Sequence, residues 1–174
     1  MTIIIRNEQP QDILQIDAIH HSAFLYDQYS NHNEHLIVRE LRNCDQLTVS
    51  IVAVDEDTQQ IIAHVAVSPV KVLQEFNVEE GGWYGLGPLA VIPSRQGQGI
   101  GSLLMQAALQ QLKQVHANGC VLLGEPEYYQ RFGFLANADL VLPGVPAHYF
   151  QALCFKGKVP KGVVQYHQAF EVTG

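Results

Sequence analysis

Leu86-Gly87-Pro88-Leu89-Ala90-Val91-Ile92-Pro93-Ser94-Arg95-Gln96-Gly97-Gln98-Gly99-Ile100-Gly101-Ser102-Leu103-Leu104 joins an apolar run, a polar loop with glycine at every second position, and the start of a periodic helix. Leu89 to Ile92, closed by Pro93, has the composition of a buried strand. From Ile100 onward Leu103, Leu104, Ala107, Ala108, Leu112 and Val115 recur at three- and four-residue steps. Gln106, Gln110, Lys113 and Gln114 fill the opposite side, which predicts an amphipathic helix. Gly97, Gly99 and Gly101 lie where strand passes into helix. Glycines there let the backbone approach a ligand, and the first helical turn adds N–H donors and the positive end of the dipole. Such a loop is a cradle for a phosphate or pyrophosphate. A Walker loop needs Gly-Lys-Ser/Thr, which is absent, and G-x-G-x-x-G would need glycine where Ser102 stands.

Outward from this loop the chain reads as alternating strands and helices. Thr2 to Arg6 predicts a first strand, and Pro10 with Ile13, Leu14, Ile16 and Ile19 predicts a helix with proline in its first turn. After a loop carrying Tyr26, Tyr29 and Ser30, Asn31 or Asn33 is placed to cap a second helix containing Leu36, Ile37 and Leu41. Leu47–Val54 and Ile61–Val72 predict an antiparallel hairpin about the polar turn Asp55–Gln59. A second polar turn, Asn77–Gly82, returns the chain into Trp83–Ile92. Beyond the long helix, Cys120–Leu123 predicts a fully buried strand, giving a parallel strand–helix–strand crossover. Pro126 opens a short helix that Gly133 closes. Leu140–Leu142, Gln151–Phe155 and Val163–Tyr166 are candidate strands interrupted by prolines.

Gln96-x-x-Gly99-x-Gly101 resembles the Q/R-x-x-G-x-G/A signature of the GNAT superfamily of acyl-CoA-dependent N-acyltransferases. One helix and one strand downstream, Tyr128-Tyr129-Gln130-Arg131-Phe132-Gly133-Phe134 resembles the family's aromatic-Tyr-x-x-x-Gly-Phe element. Across Leu86–Phe134 the wording is most similar to the YhbS-type predicted acetyltransferases of bacteria. The resemblance implies an α/β (α+β) GNAT-like three-layer fold. Its central sheet is mixed and mostly antiparallel, with helices on both faces and a splayed parallel strand pair ending near Ile92 and Leu123. It assigns the backbone of Leu89, Ala90 and Val91 to the pantetheine arm of acetyl-CoA. Gln96, Gly97, Gln98, Gly99, Ile100, Gly101 and Ser102 would hold the pyrophosphate. The implied activity is acetyl transfer from acetyl-CoA, the acyl-donor cosubstrate, to a primary amine by direct attack in a ternary complex, without a metal.

That chemistry needs a deprotonated amine, donors for the developing oxyanion and a proton for the leaving sulfur. Backbone N–H groups near Leu89 or Ala90 are expected to serve the oxyanion. Tyr129 matches the family's general acid; its alternative is packing on Phe132 and Phe134, and Tyr128 is the expected core aromatic. For the base the family's strand glutamate is missing, since Trp83-Tyr84-Gly85-Leu86-Gly87 stands there. Glu125 is the candidate carboxylate, with a helix-terminal role as its alternative. His64, a sheet histidine, is a further candidate, and direct proton loss to water needs no residue; Glu34 is read either as a contact for a cationic substrate or as part of a solvated helix face. His32-x-x-His35 shares a helix face, yet no acidic or cysteine ligands complete a metal site. Arg95 and Arg131 are read either as aids to the CoA phosphates or as solvated side chains.

Composition narrows the remaining choices. At 174 residues the chain predicts one domain over 1–174, able to bury roughly 70% of its unfolded surface. Ten basic against seventeen acidic residues argue against nucleic acid or an anionic membrane as partner, and suit a cationic amine. Three scattered cysteines and a start without a charged leader predict a cytoplasmic protein. The acceptor stays open between small-molecule and protein amines, and a homodimer is admitted but not required. Two other readings compete with the enzyme: a non-catalytic acyl-CoA-binding or regulatory module on the same fold, and a nucleotide-binding protein unrelated to acyl transfer.

Overall fold

Strand-forming runs and amphipathic segments alternate in the computed structural model, which describes residues 2–173. β1 (Ile3–Asn7) leads through a 3-10 turn at Pro10–Asp12 to α1 (Ile13–Phe24) and α2 (Glu34–Asn43). β2 (Val49–Asp55), β3 (Gln60–Pro69), β4 (Lys71–Leu73) and β5 (Glu79–Glu80) follow. Next come β6 (Trp83–Val91), α3 (Ile100–Gln114), β7 (Gly119–Leu123) and α4 (Pro126–Tyr129). The last strands are β8 (Leu135–Ala136), β9 (Leu140–Val141), β10 (Phe150–Cys154) and β11 (Gly162–Gln165). These elements fall into two compact units. One holds residues 2–67, Gly87–Gln111 and 168–173, the other Ser68–Leu86 and Leu112–His167. Neither unit is one continuous piece of chain.

In the first unit the strands run in the order β1-β2-β3-β6. β1 pairs antiparallel with β2 (Ile5↔Ala53) and β2 with β3 (Val52↔His64), the hairpin that the sequence predicts. α1 and α2 turn Ile16, Ile19 and Val38 onto Val52, Val54, Ile61, Ala66 and Ala90. Burying each larger aliphatic side chain contributes about 1.5–3 kcal/mol. Two details depart from expectation. α1 starts only after the 3-10 turn, where the Asp12 carboxylate accepts from the Gln9 N–H at 2.7 Å and pairs with Arg6 at 2.6 Å. Asn33 is the N-cap residue of α2, but its side-chain amide donates to the Val172 carbonyl at 2.9 Å instead of capping the helix.

The second unit orders its strands β6-β7-β10-β8, with a smaller sheet β5-β4-β11-β9. β6 runs parallel to β7 from Trp83↔Gly119 to Gly85↔Val121, and β7 pairs antiparallel with β10. The sheet is therefore mixed and mostly antiparallel. Trp83, Val121, Phe150 and Ala152 pack with Val72, Leu140 and Val164 into one core. Ile61–Val72 is not one strand as its composition suggests. β3 ends at Pro69, which has no N–H for a ladder, and β4 joins the smaller sheet. Leu123 is 50% exposed, so the strand expected to be fully buried opens at its last residue. Leu103 and Val115 are also exposed, which narrows the apolar stripe of α3.

Candidate active site

Residues expected at the site occur in each unit. In the first, β6 ends at Val91 and a 3-10 turn over Pro93–Arg95 delivers the chain to the glycine loop. Gly97 (φ 76°) and Gly99 (φ 80°) adopt the left-handed conformation, and a Cβ on either would point into open space. These glycines serve backbone shape rather than close packing. Gln96, Gly97, Gln98 and Gly99 are exposed, and Leu103 N–H closes the first helical bond onto the Gly99 carbonyl at 3.2 Å. The N–H groups of Ile100, Gly101 and Ser102 belong to the first turn of α3. Gln96 donates its side-chain amide to the Val91 carbonyl at 3.0 Å, bracing the loop against the strand. Leu89 and Val91 are half-buried, whereas Ala90 is 2% exposed and packs in the core. Arg95 is committed within this unit: its guanidinium meets Asp55 at 2.7 Å and Gln98 at 3.2 Å.

In the second unit the turn Gly124–Pro126 leads into α4, which carries Tyr129. The Tyr129 ring meets Tyr128 edge-on at 4.9 Å between centroids and Phe134 at 6.4 Å. Burial, helped by the neighbouring Tyr128, pushes its phenol up to about 12. Tyr129 therefore keeps its proton at neutral pH, the state a proton donor requires. Glu125 is the exposed N-cap residue of α4; its backbone carbonyl accepts from the N–H groups of Tyr128 and Tyr129, and its side chain makes no capping bond. Tyr128 is not the core aromatic that the sequence suggests. It is half-buried, with the Arg131 guanidinium 4.5 Å from its ring centroid, and Phe134, fully buried, takes the core position. Arg131 also donates to the Tyr128 carbonyl at 2.9 Å, so its role is local.

His64 is fully buried and both ring nitrogens are used. Arg42 pairs with Glu8 through two bonds of 2.8 and 2.9 Å, and Ser50 Oγ donates to Glu8 at 2.6 Å. With its one proton spent, Ser50 accepts from His64 Nε2–H at 2.8 Å. His64 Nδ1 then accepts from His20 Nε2–H, also at 2.8 Å, leaving His20 Nδ1 as a buried lone pair without a partner. Burial, with the Arg42 charge, lowers His64 to about 3. Burial lowers His20 well below the ordinary histidine value, with His64, His35 and Arg42 adding to the effect. His64 is thus a neutral member of a buried network, not an available base. Nothing in the sequence links His20 to His64. His32 and His35 form no metal cluster with other residues, and none is found among the described residues. No helix among them is long and apolar enough to cross a membrane.

A mixed sheet with a parallel crossover, a glycine loop entering its helix and a half-buried tyrosine after the next strand define an acyltransferase of the GNAT type. The chain belongs to the GNAT acetyltransferase family: residues 14–134 match the Acetyltransferase (GNAT) family. It is 35% identical to the uncharacterized N-acetyltransferase YhbS of Escherichia coli K12, over 97% of this chain and 98% of that protein. The structure is similar to that of a GNAT family acetyltransferase from Brucella melitensis in complex with acetyl-CoA. There the identity is 44%, the TM-score 0.84, and the match covers 97% of this chain and 98% of that one. It is also similar to E. coli YhbS in complex with CoA, at 34% identity and TM-score 0.83 over 99% of this chain and 93% of that one. The family and fold expected from the two motifs are both borne out.

Proposed function

We propose that this protein transfers the acetyl group of acetyl-CoA to a primary amine by direct attack in a ternary complex. The observation that carries the reading is the exposed loop Gln96–Gly99 entering α3, with two left-handed glycines whose Cα atoms face open space. The acetyl-CoA bound in the 44%-identical Brucella protein supports it. In this reading Gln96, Gly97, Gln98, Gly99, Ile100, Gly101 and Ser102 hold the pyrophosphate through backbone N–H groups. The backbone of Leu89, Ala90 and Val91 pairs with the pantetheine arm, as a strand-like ligand adds to a sheet edge.

The amine nitrogen forms its bond to the thioester carbon as the carbon–sulfur bond breaks. N–H groups near Leu89 or Ala90 take the developing negative charge on oxygen. Tyr129 gives its proton to the departing sulfur and regains one from solvent. The nitrogen gives up its proton to Glu125, the exposed carboxylate on the turn that opens α4, and from there to water. All 174 residues act as one domain in this reading, since each unit is assembled from separated pieces of chain. Three unpaired cysteines support a reducing, cytoplasmic setting.

CoA-thiol release tests the reading, measured with acetyl-CoA and primary amines of four kinds: an aliphatic diamine, an arylethylamine, free amino acids and a lysine-containing peptide. Thiol release that depends on one of these amines supports it. Tight acetyl-CoA binding without amine-dependent release from any of them favours the non-catalytic acyl-CoA-binding module.

A further inference from the structure

The turn that leads to Tyr129 begins at Gly124, and one buried amide holds that residue. Gly124 follows β7; its N–H donates to the Tyr149 carbonyl at 3.0 Å, and its own carbonyl accepts from Gln151 Nε2 at 3.0 Å. The same Nε2 lies 3.4 Å from the Tyr149 carbonyl. Gln151 sits in β10 opposite Leu122 and is 1% exposed, a polar side chain in an otherwise apolar strand. Its Oε1 is buried without a partner. An unpartnered buried oxygen is costly, so the donors of this amide are what the position needs. Gly124 has no left-handed φ, so backbone freedom does not explain it. Space does: a Cβ there falls within 2.9 Å of Tyr129 Cδ2 and closer still to Cε2.

We propose that Gly124 and Gln151 are positioning residues for Tyr129, which set the direction in which its hydroxyl is presented to the leaving sulfur. The proposal rests on the reading of Tyr129 as the proton donor. The bare α-carbon of Gly124 admits the ring. Gln151 fixes the turn that bears Gly124, and Tyr128 and Phe134 bound the ring on other sides. An acid displaced by about an ångström loses rate by a factor of about 10². Ring position in this seat therefore governs turnover without touching acetyl-CoA affinity.

The test uses the full chain labelled with 3-fluorotyrosine, in which the resonance missing from Tyr129→Phe identifies residue 129. Gly124→Ala, which pushes the ring, and Gln151→Leu, which removes the donors at similar volume, should each shift or broaden that resonance. Each should also lower kcat by about tenfold or more, with KM for acetyl-CoA unchanged, using the amine of the four kinds above that releases thiol fastest. Neither should lower kcat further in a Tyr129→Phe background, because the hydroxyl they position is gone. A resonance unmoved in both variants overturns the proposal whatever the amine. Loss of turnover in Tyr129→Phe, with full turnover in both seat variants, overturns the positioning role alone. Full turnover in Tyr129→Phe overturns the reading of Tyr129 as acid and the positioning role with it.

Discussion

Acidification from pH 7.5 to 5.0 should destabilise this protein through two histidines, His20 and His64. Both are neutral in the folded state because burial opposes their protonation, and His64 is lowered to about 3. The unfolded chain has no such restraint and binds protons at ordinary histidine values near ~6.5. The stability they confer is therefore full above that value and is lost as pH falls below it, since the unfolded state takes up more protons. At pH 5.0 each histidine costs RT ln(1 + 10^1.5), or about 2 kcal/mol, and the pair about 4 kcal/mol. For a chain of this length that is roughly 8–16 °C in Tm. Glu8 and Asp12, both held below their ordinary values, have the same sign but act at lower pH. Burial raises Glu8, but its bonds to Arg42 and Ser50 outweigh this, and the Arg6 bond lowers Asp12. Their contributions are lost only below the ordinary carboxylate values near ~4, so the window down to pH 5 belongs to the histidines. The assay is urea unfolding at half-unit pH steps. Below pH 6 the slope should approach two protons, about 2.7 kcal/mol per pH unit, and should fall towards one proton in His64→Gln. A flat profile between pH 7.5 and 5.0, or a slope unchanged in His64→Gln, would refute the assignment of His20 and His64 as a buried neutral pair.

Other substitutions test the site. Gly99→Val forces a branched side chain into a left-handed φ at a position where an added Cβ meets no neighbour, and should weaken acetyl-CoA binding by about tenfold, read by calorimetry. Tyr129→Phe should lower kcat by about 10²-fold or more while KM for acetyl-CoA stays within about twofold. Glu125→Gln should lower kcat by a comparable ~10²; unchanged turnover removes it from the mechanism. Phe134→Ala, at a fully buried position against Tyr129, should cost about 3–5 kcal/mol in urea unfolding.

Much of this architecture is legible because its signals are local and periodic. The spacing of Ile100, Leu104, Ala108 and Leu112 places α3, and the glycines before it place the loop. Gly133 closes the turn after α4 with φ 97°, the role its position suggests. The three strands expected in the tail appear within about one residue of their predicted bounds. β4, β5 and β8 are only two or three residues long, too short for any alternation to show. Tyr128 does not take the core place expected of it, because the close spacing of aromatics over Tyr128–Phe134 gives no clue to which faces inward. The Arg42–Glu8–Ser50–His64–His20 chain draws on residues scattered over three strands' worth of sequence and two helices. Only the fold brings them together. Gln151 left a faint trace, one amide among Phe150, Ala152 and Leu153, but its carbonyl partners could not be read.

Acetyl-CoA recognition is the central claim, and thermal unfolding with excess acetyl-CoA tests it most directly, beside CoA, ATP and NAD at equal concentration. At a hundredfold excess over Kd, linkage adds about 2.7 kcal/mol to stability. That corresponds to roughly 5–10 °C in Tm for a chain of this size. The account predicts such a rise with acetyl-CoA and CoA and none with NAD or ATP. A rise with NAD or ATP alone would contradict it, and the glycine loop would then belong to a different nucleotide.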